Sequence, residues 1–140
     1  MKASPQLQIP AEPFALPDPA SVSEVFREYA EPLLYIDPAG PADLQTMRTS
    51  LGLAMICWNL PVYEAIGSPL YAQGMKTLDK IKAQVPAPVA TCLQRLLEDR
   101  KTKFAQWPFL TTVELLGDDV QSALIAAEAR RPKTKPAPRA

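Results

Sequence analysis

Apolar residues recur at intervals of three and four along four separate stretches of the chain, and each stretch predicts a helix with a buried side. In the first, "SVSEVFREYAEPLL", that face is Val22, Val25, Phe26, Tyr29 and Leu33. Ser21 followed by Glu24 fits a capping box, in which hydroxyl and carboxylate each satisfy an unpaired amide, so the helix is expected to begin near Val22. Proline lacks an amide hydrogen and disfavours helix in the residue before it. Pro32 should therefore stop or kink this helix at Ala30, and "YIDPAGP" should follow as an irregular turn.

The second stretch starts near Ala42 and places Leu44, Met47, Leu51, Met55 and Trp58 on one stripe, with Leu53, Ile56 and Leu60 on another. A helix apolar on several sides is buried on several sides, so this is the expected central helix. Within "MICWNLPVYE", Pro61 predicts closure at Trp58 or Asn59, and asparagine tolerates the left-handed cap conformation. Asn59 is thus read as a C-cap or as a partner for neighbouring backbone, and Trp58 as a core residue.

In "PLYAQGMKTLDKIKAQV", Tyr71, Met75, Leu78, Ile81 and Val85 share a face opposite Lys76, Asp79, Lys80 and Lys82. After Pro86 and Pro88, the face is Val89, Cys92, Leu93, Leu96, Leu97 and Phe104, with Asp99 and Lys103 spaced as a surface pair. Beyond Pro108 the pattern divides. "FLTTVELL" is rich in strand formers, "GDD" marks a turn, and "VQSALIAAEAR" reads equally as a second strand or as an alanine-rich helix capped by Asp119.

These elements predict a mainly α fold, a small helical bundle with a candidate C-terminal β-hairpin. Residues 21–130 would form its single domain. Residues 1–20 hold Pro5, Pro10, Pro13, Pro17 and Pro19, which predicts an extended arm that packs loosely through Ile9, Phe14 and Leu16. Residues 131–140 would form a basic tail.

Composition narrows the chemistry. The chain has 140 residues, 47% apolar and 21% charged, with no net charge and no histidine. The commonest general base, metal ligand and pH switch is therefore missing. No phosphate loop, nucleophile elbow or metal-ligand spacing occurs, so no catalytic residue, cofactor site or metal site is assigned and the chain reads as a non-enzyme. Cys57 and Cys92 lie inside apolar helical patterns without a CxxC, as small hydrophobes do, and suit a reducing cytoplasm. The longest apolar run, Leu51 to Leu60, is about half of the ~20 residues a spanning helix needs, so no membrane role is expected.

Charge is segregated. Arg130, Arg131, Lys133, Lys135 and Arg139 fall in the last eleven residues, whereas residues 1–129 carry ten basic against fifteen acidic side chains. A basic tail could neutralise phosphates without reading sequence, which makes nucleic-acid association the alternative function. The polar residues nearest the apolar helices are Glu31, Asn59 and Tyr63, a candidate polar cluster. The segments "YAEPLLYI", "LGLAMICWNLPVYE", "LLEDRKTKFAQ" and "TTVELLGDD" resemble an uncharacterised family of small bacterial proteins with AEPLL and WN motifs. That resemblance implies a C-terminal hairpin and no particular activity. By elimination, the chain is expected to be a non-catalytic accessory or regulatory protein, cytoplasmic, that binds another protein or a second copy of itself.

Overall fold

A computed structural model describes residues 6–132, a span that leaves Lys133, Lys135 and Arg139 of the expected tail outside it. Four helices and a hairpin follow in order: α1 (Pro19–Leu34), α2 (Leu44–Ala65), α3 (Leu70–Gln84), α4 (Ala87–Lys101), β1 (Leu110–Leu116) and β2 (Leu124–Arg130). The central helix α2 packs on α1, α3, α4 and β1, while β2 leans on α1. The mainly α expectation holds, and the hairpin alternative prevails over alanine propensity at residues 124–130. Register explains the outcome: Leu115 faces Ile125, Val113 faces Ala127 and Thr111 faces Ala129 on the inner side of the sheet. Ala127 on that side is only 3% exposed. Burial on one face of a strand outweighs a weak intrinsic preference.

The stop expected at Pro61, and the stop offered as one of two outcomes at Pro32, are corrected. α1 continues through Pro32 to Leu34, and α2 continues through Pro61 to Ala65. An interior proline costs a helix ~3 kcal/mol. Leu33 and Leu34 beyond Pro32, and Val62 beyond Pro61, are buried, and each fully buried side chain of this size returns ~1.5–3 kcal/mol. Packing therefore carries the helices past the prolines. Asn59 is consequently a mid-helix residue and not a cap.

The start of α1 also differs. Asp18 is the N-cap, its carboxylate accepting from the Ser21 amide at 3.0 Å, and Pro19 occupies the first turn, where a missing amide hydrogen costs nothing. Ser21 spends its hydroxyl on Asp18 and the Ser21–Glu24 box does not form. The Ser21 amide holds the Asp18 carboxyl below its ordinary range. Residues 6–18 form no helix or strand, yet Leu7 is 2% exposed and Phe14 and Leu16 pack on the core. Leu7, not singled out from sequence, is the deepest anchor of this segment.

The core is organised by aromatic rings. Trp58 meets Tyr29 at 5.0 Å, Phe109 at 5.6 Å, Phe104 at 5.9 Å and Phe26 at 6.0 Å between centroids, in tilted and edge-on arrangements. Such pairs add to the stabilisation from area alone. The hairpin turn depends on Gly117 at φ +129°, because a Cβ there would stand 2.9 Å from Ala123 Cα. Asp119, expected as a helix cap in the alternative reading, instead accepts from the Ser122 amide inside this turn.

Candidate interaction surface

The root of the hairpin is tied to the helices by three side chains of α2 and α4. Trp58 Nε1 donates to Phe109 O at 2.9 Å. Asn59 uses both ends of its amide on one residue: Nδ2 donates to Thr111 O at 3.1 Å and Oδ1 accepts from Thr111 N at 2.8 Å. Arg100 is completely buried. Its guanidinium lies 3.8 Å from the Trp58 ring centroid and donates to the carbonyls of Trp58, Phe104, Trp107 and Phe109.

Among the described residues no carboxylate pairs with Arg100; Asp99 next to it faces Arg95 and Lys103. Burial pushes the guanidinium down to about 9, still above neutral, so the cation persists and is neutralised by four carbonyl dipoles and an aromatic face. This arrangement locks the α4–β1 loop. Sequence reasoning missed Arg100 because "EDRKTK" reads as a solvated charge run. The available signal was phase, since position 100 continues the 93, 96, 97, 104 stripe.

The expected polar cluster does not assemble. Asn59 is committed to Thr111, half-buried Tyr63 packs against the core, and exposed Glu31 borders a groove on the other side of α1. The two grooves that Glu31 lines include neither Asn59 nor Tyr63. Cys57 and Cys92 are both free and buried, and burial pushes the Cys57 thiol up to about 12. Among the described residues there is no group of three or more histidine, cysteine, aspartate or glutamate side chains that could hold a metal. None of their helices is long and apolar enough to cross a membrane.

Past its root the hairpin changes character. Its two strands pair only with each other, so each has an edge facing away from the ladder. Asn59 closes the β1 edge at Thr111, and Ser23 Oγ closes the β2 edge at Ala127, accepting from its amide at 2.9 Å and donating to its carbonyl at 3.3 Å. Toward the turn the outer face ends in the pair Leu116 and Leu124, which are 45% and 68% exposed. Leu124 also borders a groove of about 940 Å³ between α1 and the turn, floored by Leu34, Met47, Ala123 and Ile125. Tyr35, 52% exposed, lines the same groove, with Glu24, Arg27 and Glu31 along its polar side. Of the five exposed large apolar side chains among the described residues, Tyr35 and Leu124 line this groove and Leu116 is the cross-strand partner of Leu124.

The basic residues at the end of β2 are divided. Arg130 is exposed, whereas Arg131 donates two hydrogen bonds to Phe14 O, at 3.0 and 2.7 Å, and ties the N-terminal segment to the hairpin. No family model, curated protein or solved structure matches the chain.

Proposed function

We propose that this chain is a small non-catalytic accessory or regulatory protein that acts by binding another polypeptide or a second copy of itself. The observation that carries the reading is the apolar end of the hairpin, where Leu116, Leu124 and Tyr35 stand exposed beside a groove with an apolar floor and a charged side. Contiguous exposed apolar side chains rimmed by polar ones mark association sites. The two free, buried thiols accord with a reducing compartment such as the cytoplasm. The alternative, nucleic-acid association through the basic tail, loses Arg131 to the Phe14 carbonyl and must depend on the other cations.

A pull-down from native cell extract, with nuclease treatment, tests the reading with three proteins: wild type, Leu124→Lys, and a truncation lacking residues 133–140. Protein captured by wild type and by the truncation, and lost with Leu124→Lys, supports it. So does a concentration-dependent dimer of wild type that Leu124→Lys dissociates. Nucleic acid lost with the truncation supports the alternative, and a monomer that captures neither rejects both.

A further inference from the structure

Two helical glycines behave differently. A Cβ on Gly74 would collide with Leu60 Cδ2, so the close approach of α3 to α2 accounts for it. A Cβ on Gly52 would meet nothing within 4 Å. Glycine inside a helix costs ~1 kcal/mol relative to alanine, and no neighbour among the described residues requires it at position 52. Gly52 borders a cleft of about 460 Å³ between Arg48, Leu51 and Met55 of α2 and Val113, Glu114 and Leu115 of β1.

The β1 wall of this cleft is the unpaired edge of the strand. Backbone groups of alternate residues point to opposite edges of an antiparallel strand. Thr111 directs both its amide and its carbonyl to Asn59, away from β2, so Val113 and Leu115 direct theirs the same way. Among the described residues no side chain bonds to them there. The structure thus holds two amides and two carbonyls in strand geometry beside a cleft kept clear by an otherwise unnecessary glycine.

We propose that the β1 edge from Val113 to Leu115 takes an extended segment of a different polypeptide as a third strand, with Gly52 leaving room for its inward side chains. The proposal rests on the polypeptide-binding reading above and adds a second contact, separate from the groove at Tyr35 and Leu124, with the chemistry of its occupant. Backbone pairing demands an extended chain, and alternate side chains then face opposite ways. Those turned inward meet Leu51, Gly52 and Met55 and must be apolar. The one turned outward lies beside Glu114, which is exposed and has no ion pair among the described residues, so lysine or arginine fits there.

A second copy of β1 fits poorly. Symmetric pairing that uses both Val113 and Leu115 sets Glu114 directly opposite its own copy, and like charges in that position repel. Arg48 belongs to the helix wall and does not occupy the cross-strand position of Glu114.

The test uses full-length protein labelled with nitrogen-15 and two blocked pentapeptides, one alternating valine with lysine, the other valine with glutamate. The lysine peptide should slow amide exchange at Val113 and Leu115 and bind about fivefold tighter than the glutamate peptide. Glu114→Lys should reverse that preference. Gly52→Leu should abolish binding of both peptides while leaving the fold intact by circular dichroism. Val113→Pro removes an edge donor without touching the ladder and should weaken both, so the proposal stays testable if one variant misfolds. Binding retained by folded Gly52→Leu, protection confined to other amides, or a wild-type dimer abolished by Gly52→Leu would each overturn it. A protein captured from extract equally by wild type and Gly52→Leu would reject this site and leave the general reading standing.

Discussion

The root and the tip of the hairpin obey different rules. At the root three side chains close backbone groups: Asn59 takes both backbone groups of Thr111, Ser23 takes both of Ala127, and Arg100 gathers the loop carbonyls. Two and four residues beyond Thr111, the outward amides and carbonyls of Val113 and Leu115 have no capping side chain among the described residues, and Leu116 and Leu124 stand exposed at the tip. Exposed edges invite pairing, and proteins normally block them with charges, bulges or cover. The chain thus closes the edge groups of Thr111 and Ala127 with side chains and leaves those of Val113 and Leu115 open beside the cleft at α2. The contrast separates the bonds that hold the fold from the surface on which the proposed association rests.

The largest effect expected on that contrast is at the root. Trp58→Ala should destabilise the protein by ~3–5 kcal/mol in chemical denaturation, because the ring is buried among four other aromatics and is also the platform for Arg100. A loss below about 1 kcal/mol would show that the aromatic core does not hold the fold. Arg100→Met keeps much of the side-chain volume but strands carbonyls in the interior, and the expected cost is ~3 kcal/mol. Asn59→Ala removes two hydrogen bonds and should cost ~1–3 kcal/mol, with faster amide exchange at Thr111 as its specific signature.

A smaller, pH-dependent effect follows from Cys57. Folded, its thiol keeps its proton until about 12, against an ordinary value of 9.0, because burial disfavours the thiolate. Between those values the unfolded chain sheds a proton that the native chain keeps. The thiol's contribution is therefore complete below 9 and is lost as pH rises toward 12. Tyr29, raised by burial, acts in the same sense, and Arg100, lowered by burial, acts in the opposite sense. Comparing the alkaline slope of wild type with that of Cys57→Ala isolates the thiol: the variant should lose stability less steeply. At the tip the effect on stability is smallest. Leu124→Lys should change it by no more than ~0.5 kcal/mol, since the side chain is already in water, and should act on association alone.

The pattern of positions was legible where one face of an element is apolar throughout: four helices and a strand-forming segment after Pro108 follow from it. Local rules failed where tertiary burial outweighed them. Pro32 and Pro61 ought to end helices, but Leu33, Leu34 and Val62 lie beyond them and are drawn into the core. The cap at α1 shifted because Asp18 and Pro19 together make a better start than Ser21. The burial of Arg100 is readable from its phase on α4, but its carbonyl partners and the pairing of Asn59 with Thr111 are not, because each joins residues brought together by the fold and each depends on which backbone groups remain unpaired there. Glu31, Asn59 and Tyr63 were grouped by polarity, a property that says nothing of which side of a helix faces which neighbour. Val113 and Leu115 were readable as strand formers, but an open edge becomes a site only once the partner strand and the helix beside it are known.

Native-state amide hydrogen exchange on the free protein tests the division between root and tip most directly. Thr111 and Ala127, bonded to side chains, and Thr112 and Glu114, bonded within the ladder, should exchange slowly, whereas Val113 and Leu115 should exchange orders of magnitude faster under the same conditions. Protection at Val113 and Leu115 equal to that at Glu114 would mean that the edge is already covered, and would contradict the account.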